Sequence, residues 1–108
     1  MAELVRAAVK IGAEQTEIQQ FERPAVGSDS ALLRVEASGV GGSDPELYRW
    51  PDHAPVIMGH ENVGTIEAIG ELAARRWGVK PGDRVALHEY LPCWHCRWCR
   101  QGDFRLCE

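Results

Sequence analysis

The sequence predicts a mostly β, barrel-like domain with a metal-binding lobe at its C-terminal end. Two observations indicate the β structure: short segments of alternating apolar and polar residues recur along the chain, and turn-forming residues separate them. A third observation indicates the lobe, because four cysteines fall within the last sixteen residues. We therefore expect about five short strands, one short helix and one metal site.

Three strands are predicted in the first part of the chain. Residues 6–11 and 16–21 form two candidates, and Gly12-Ala13 can make the turn between them. Residues 33–37 form the third, because apolar side chains there alternate with charged ones. A period of two is typical of a strand with one face buried. The sequence thus predicts a hairpin followed by a half-buried strand.

One helix is predicted directly after Gly42. Ser43 is the candidate N-cap, and Glu46 is placed to complete a capping box. Apolar side chains follow as far as Trp50, and Pro51 should end the helix. We expect a helix of one or two turns.

Two further strands are predicted after this helix. Residues 63–69 alternate, and residues 84–88 follow a Lys-Pro-Gly-Asp turn at 80–83. Proline presets φ in such a turn, and glycine supplies a positive φ. The metal lobe then starts at about residue 88.

Composition favours one globular domain and excludes two classes of partner. A chain of 108 residues with 44% apolar and 26% charged residues is ordinary for a globular protein. The formal net charge of −4 argues against nucleic acid, and no apolar run approaches the ~20 residues of a membrane span. The N-terminus shows no secretory pattern, so we expect a cytoplasmic location.

The strongest motif is Cys93-x2-Cys96-x2-Cys99-x7-Cys107. Four thiolates at such short spacing can surround one Zn²⁺ as a closed tetrahedron, which is the form of a structural site. Disulfides are an alternative, but they need an oxidising compartment. An iron–sulfur cluster is another, although the gap of seven residues departs from the bacterial ferredoxin pattern.

The residues around the cysteines agree with zinc. Three arginines between or beside the ligands can offset the net charge of four thiolates and one Zn²⁺: Arg97, Arg100 and Arg105. Three aromatic residues either shield the sulfurs from water or simply pack the lobe: Trp94, Trp98 and Phe104. His95 lies inside the first gap, and we expect it to be exposed because the cysteines already fill the tetrahedron.

Three stretches together resemble a known family. They are Gly39-Val40-Gly41-Gly42-Ser43-Asp44, Gly59-His60-Glu61, and Gly82-Asp83-Arg84-Val85 leading into the cysteines. In order and spacing they resemble the N-terminal, GroES-like catalytic domain of zinc-dependent medium-chain alcohol dehydrogenases and reductases. The resemblance implies a partly open GroES-like β-barrel, here an incomplete domain over residues 1–108 with its zinc lobe at 88–108. It also implies NAD(P)-dependent hydride transfer between a small alcohol and a carbonyl, two zinc ions per subunit and a homo-oligomer.

Matching motifs assign roles residue by residue. The four cysteines correspond to the structural zinc ligands. His60 corresponds to a ligand of the catalytic zinc, and Glu61 to a neighbouring glutamate that can approach that zinc. Ser43 corresponds to the hydroxyl that relays the substrate proton, and Asp44 to the carboxylate that orients the histidine.

One position departs from the family pattern and one domain is not visible. Gly41 stands where the family usually has a cysteine ligand, so we expect the catalytic zinc site to be impaired, with His60 and Glu61 as a remnant. Glu46 stands where many members have a relay histidine. No G-x-G-x-x-G within a βαβ unit is present, so we do not expect an NAD(P)-binding site among these residues.

Two functional hypotheses follow. In the first, these residues are the front part of an NAD(P)-dependent oxidoreductase, and Gly41 makes a zinc-independent reductase possible. In the second, the chain is a stand-alone, zinc-stabilised structural or binding module without turnover.

Overall fold

The fold begins with an antiparallel hairpin. A computed structural model describes residues 3–52 and 54–108. Strand β1 spans Leu4–Gly12 and strand β2 spans Gln15–Glu22, paired from Leu4 opposite Glu22 to Gly12 opposite Gln15. The two-residue loop between them is Ala13-Glu14, where Glu14 has a φ of 54°. The predicted turn at Gly12-Ala13 is thus displaced by one residue, because Gly12 still pairs with β2.

The second sheet is antiparallel and has three strands. It has the order β3-β4-β5, with β3 at Ala31–Gly39, β4 at Glu61–Ile69 and β5 at Arg84–Ala86. Gly64 in β4 is buried, and a β-carbon there would overlap the carbonyl oxygen of Arg34. Glycine at this position therefore lets β3 and β4 approach each other.

The predicted strand at residues 84–88 is too long. β5 pairs with β4 only from Arg84 to Ala86, and Leu87 adds one further hydrogen bond, from its N–H to the carbonyl of Asn62 at 2.9 Å. Beyond it the chain leaves the sheet and enters the cysteine lobe. The mostly β prediction is confirmed, with two small open sheets.

The prediction of a single helix is wrong. The structure has α1 at Asp44–Arg49, α2 at Glu71–Trp77, α3 at Arg97–Gln101 and a 3₁₀ turn at Phe104–Leu106. Helix α2 ends at Gly78, whose φ of 66° is the left-handed conformation that favours glycine at a helix C-terminus. The sequence does carry signals for this helix. They are Gly78 at its C-cap, Glu71 in its first turn and two arginines in its last turn.

The buried interior is small. Among the described residues, the buried apolar side chains are Val9, Ile66, Ala73 and Cys99, and Lys10 and Asp44 are buried as well. No helix in the described ranges is long and apolar enough to cross a membrane. Asp44 lies 3.5 Å from His60, and the backbone of Lys10 is hydrogen-bonded to Val56, four residues before His60.

Candidate metal centre and catalytic cleft

The four cysteine thiols lie together in the C-terminal lobe. All four Sγ atoms lie within 4.8 Å of one another, and those of Cys93 and Cys99 are 3.9 Å apart. A tetrahedral ion with bonds of about 2.3 Å places its sulfurs about 3.8 Å apart. Cys99 is only 4% exposed, and none of the four forms a disulfide. The donor set and its spacing therefore fit one Zn²⁺.

Backbone N–H groups point at the sulfurs. Those of His95 and Cys96 donate to the Cys93 thiol at 3.3 and 3.2 Å, and that of Cys99 donates to the Cys96 thiol at 3.4 Å. Cys96 is also the N-cap of α3, so one thiol both begins the helix and faces the metal position. Trp94 has a φ of 69°, which turns the chain between the first two ligands. The short gaps between the cysteines thus place backbone N–H donors next to the sulfurs of Cys93 and Cys96.

These hydrogen bonds separate the acidities of the thiols. Two backbone N–H groups lower the pKa of Cys96 to about 6; that of Cys99 has the larger effect and that of Glu108 the smaller. The N–H groups of Cys96 and His95 lower the pKa of Cys93. At Cys107 the backbone of Cys93 lowers the pKa, but contacts with the Cys99 and Cys93 thiols outweigh it and raise the pKa to about 12. A metal that binds here must displace a proton from Cys107, whereas Cys96 is ionised at neutral pH.

Aromatic rings pack the outer side of this lobe. Trp94 and Phe104 meet edge to face at 5.1 Å, and His88 meets Phe104 at 5.6 Å. The guanidinium of Arg97 lies 4.4 Å from the centre of the Trp98 ring. Trp94 is 60% exposed, so packing within the lobe describes it better than shielding of the sulfurs. His95 is exposed, as predicted.

A second polar cluster surrounds His60 at the start of β4. Its Nδ1 lies 3.5 Å from Asp44 Oδ2, and its Nε2 lies 3.3 Å from Glu89 Oε2. Asp44 is buried, and the same Oδ2 accepts a hydrogen bond from the backbone N–H of Gly41 at 2.8 Å. The imidazole therefore lies between two carboxylates, one buried and one partly exposed.

Glu89 was not identified in the sequence, and the β4–β5 register explains its position. Val63 pairs with Ala86, and this pairing directs the chain after β5 past the start of β4, where the Glu89 carboxylate lies 3.3 Å from His60 Nε2. The two residues line a cavity of about 390 Å³, together with Glu61 and His88. The sequence could indicate the contact between Glu89 and His60 only if the pairing of β4 with β5 were already known.

Gly41 lies directly against the His60 ring. A β-carbon at position 41 would overlap Cε1 of His60 and lie 2.7 Å from Nε2. At neighbouring Gly42 the same addition meets no atom within 4 Å. In this structure the imidazole thus occupies the space that a side chain at position 41 would need.

The described residues of this cleft do not by themselves supply the ligand set of a catalytic zinc. Such a site requires about three protein ligands with one position left open. Among residues 3–52 and 54–108, only the four cysteines form a group of three or more potential ligands close enough to share an ion. Gly41 has no side chain that could bind a metal, and the carboxylate of Glu61 lies against Gly39.

Ser43 is the N-cap of α1, but the predicted capping box is wrong. Its φ and ψ of −84° and −18° are helical, and its hydroxyl makes no capping hydrogen bond. An N-cap side chain reaches the first turn from extended backbone, which Ser43 lacks. Ser43 is exposed and directly precedes the buried Asp44 in the sequence.

The comparisons with known proteins place this architecture in a family. The model of the alcohol dehydrogenase GroES-like domain matches residues 27–108. The chain therefore belongs to the GroES-like domain family of alcohol dehydrogenases.

Similar proteins include dehydrogenases from several organisms. A probable alcohol dehydrogenase of Mycobacterium tuberculosis is 43% identical over 106 residues, which are 96% of this chain and 29% of that protein. A thermostable alcohol dehydrogenase from Pyrobaculum aerophilum, solved with cobalt and zinc, has a TM-score of 0.81 at 32% identity and covers 98% of this chain and 33% of its own. An alcohol dehydrogenase of E. coli CFT073, solved with NADH, has a TM-score of 0.78 at 30% identity and covers 96% of this chain and 30% of its own. The chain thus spans about a third of the length of these relatives.

Proposed function

We propose that these residues are the zinc-stabilised N-terminal portion of an NAD(P)-dependent oxidoreductase that interconverts a small alcohol and a carbonyl compound. The observation that carries the proposal is the combination of the four-thiol lobe with the Asp44–His60 pair on a GroES-like fold. The relatives are dehydrogenases, and one of them was solved with NADH. Because the chain spans only 29% of its mycobacterial relative, the activity belongs to a protein of that length.

The lobe holds one structural Zn²⁺ through its four thiolates. A metal bound here would neutralise part of the charge of the sulfurs and would link α3 to the 3₁₀ turn. Its binding energy would stabilise a lobe in which only Cys99 is buried.

We propose that the chemistry in the cleft proceeds without zinc. A nicotinamide bound elsewhere in the whole protein would supply the hydride. In the reductive direction the Ser43 hydroxyl would give a proton to the carbonyl oxygen, directly or through water, and would regain one from solvent. Asp44 and His60 lie beside Ser43 and keep this edge of the cleft polar. The absence of a side chain at Gly41 supports this mechanism, since the usual thiolate is missing.

The test compares four proteins: these 108 residues and the product of the whole reading frame, each with and without Gly41→Cys. We measure nicotinamide binding and turnover of alcohols and carbonyl compounds. Turnover by the whole product with Gly41 and a single zinc would establish the zinc-independent reaction. If none of the four proteins binds nicotinamide or turns over substrate, the result would support the stand-alone module instead.

A further inference from the structure

Lys10 is the most buried charged residue described in the chain, with 2% exposure. Its Nζ donates hydrogen bonds to the backbone carbonyls of Leu47, Trp50 and Asp52 at 2.6, 2.6 and 2.8 Å. An ammonium group has three donors, so each one has an acceptor. A charge is tolerated in such a buried position only when it is hydrogen-bonded in this way.

Two of the three acceptors belong to the C-terminal end of α1. Leu47 lies in the helix and Trp50 is its C-cap, where carbonyls lack partners within the helix. Asp52 lies in the segment that follows. The ammonium of Lys10 therefore joins the end of α1 to the chain that leaves it.

The backbone of Lys10 holds a second segment. Its N–H donates to the carbonyl of Val56 at 2.8 Å, and its carbonyl accepts from the N–H of Val56 at 3.1 Å. Four residues after Val56 the chain reaches His60. One residue of β1 thus contacts both the helix that begins with Asp44 and the segment that leads to His60.

Helix α1 depends on such external contacts. It has six residues and no side-chain N-cap, and helices of that length are not stable alone in water. One further backbone bond, from Glu14 N–H to the Tyr48 carbonyl at 2.8 Å, also holds it. Lys10 supplies two bonds to the end of the helix and a third to Asp52, and all three are charge-assisted.

We propose that Lys10 is a positioning residue for the cleft, which fixes α1 against the segment before His60 and thereby sets how Asp44 meets the imidazole. The functional importance of this role rests on the proposed function, whereas the geometric role does not. Lysine suits the position because its tetrahedral ammonium can reach three carbonyls. The planar guanidinium of arginine cannot reproduce that arrangement.

The test uses the zinc-loaded chain and its Lys10→Met variant, with Lys80→Met as the matched control. Lys80 pairs with Asp83 at 2.8 Å, but its side chain is 79% exposed. We measure the imidazole NMR signals and the amide hydrogen exchange of the folded state. In Lys10→Met we expect the His60 signals to shift, those of His88 and His95 to stay, and the amides of Leu47 and Trp50 to exchange more than about tenfold faster.

A loss of overall stability alone would not shift the His60 signals of the folded population. Unchanged His60 signals in folded Lys10→Met, or an equal shift in Lys80→Met, would overturn the proposal. Lys10→Arg keeps the charge, and we expect it not to restore the wild-type His60 signals.

If Lys10→Met does not fold, the wild type and Lys10→Arg decide. The wild-type Lys10 ammonium should then give a slowly exchanging NMR signal, and Lys10→Arg should shift the His60 signals. A rapidly exchanging ammonium, or wild-type His60 signals in Lys10→Arg, would contradict the positioning role. These readouts are structural, so an inactive whole protein would refute the proposed function and leave the role of Lys10 standing.

Discussion

The cysteine lobe and the His60 cleft are built in opposite ways. The lobe takes its four thiols from residues 93–107, and their own backbone N–H groups organise them. The cleft takes Gly41 and Asp44 from one segment, His60 from a second and Glu89 from a third, and long-range pairing brings them together. A local site is therefore completed by its spacing, whereas a distributed site depends on the whole fold.

The comparison also shows why one site fits a metal and the other does not. The lobe presents four donors of one type at tetrahedral distances. In the cleft, Gly41 offers no ligand atom, and the described residues bring no three potential ligands close enough to share an ion. Under the proposed function, a change at a cysteine should therefore affect folding more than a change at Gly41.

Cys96→Ser should have the largest effect. Structural zinc contributes roughly 10–16 kcal/mol of apparent binding energy in zinc-finger peptides, and this variant removes a ligand and the N-cap thiol of α3 together. We expect loss of the single zinc and rapid trypsin cleavage around Arg97, Arg100 and Arg105. Zinc analysis and timed proteolysis measure this.

The matched control for Cys96→Ser is His95→Ala, which changes the adjacent exposed residue. It should keep close to one zinc and the wild-type cleavage rate. Equal trypsin resistance of Cys96→Ser and wild type would contradict a folding role for the metal.

The same contrast explains what the sequence could predict. Cysteine spacing and strand alternation are local signals, so the grouping of the four cysteines and the positions of strands β1 to β4 could be predicted. The position of Glu89 opposite His60 depends on the β4–β5 register, and the bonds of Lys10 depend on the path of residues 47–56. Helix α2 was not predicted, although Gly78 stands at its C-cap, because the helix has only seven residues and lies between two strands. Oligomeric state and location stay predictions.

The pH dependence of zinc affinity tests the thiol acidities in the lobe. Zinc replaces protons on its ligands, so affinity rises with pH while any ligand is still protonated. Cys107, with a pKa of about 12, stays protonated through neutral pH, whereas Cys96, with a pKa of about 6, is already ionised at pH 7. We expect the affinity to rise at least about tenfold from pH 7 to 8, because Cys107 must give up its proton, with fewer than four protons released per zinc. Competition with a chelator measures the slope, and a release of four protons would contradict the low pKa of Cys96.

Gly41→Cys tests whether the cleft lacks only a ligand. The new β-carbon would overlap the His60 ring, so we expect the imidazole to move and unfolding to become easier by about 1–2 kcal/mol. Gly42→Cys is the matched control, since its β-carbon meets no atom within 4 Å and should cost less. Denaturant unfolding and zinc analysis decide. Wild-type stability with a second zinc bound would show that the thiolate alone was missing.

Glu89→Gln should have the smallest effect on stability and still changes the cleft. Glu89 lies 3.3 Å from His60 Nε2 and its side chain is 42% exposed, and pairs so exposed contribute about 0–1 kcal/mol. The variant keeps the shape of the side chain and removes its charge, so the free energy of unfolding should fall by less than about 1 kcal/mol, and high salt should shrink the difference. Glu22→Gln, at an exposed position in β2, controls for the loss of one negative charge. The His60 ring signals should shift in Glu89→Gln and not in Glu22→Gln. If they stay in place in both variants, Glu89 does not pair with His60 in solution, and the cleft consists of Asp44 and His60 alone.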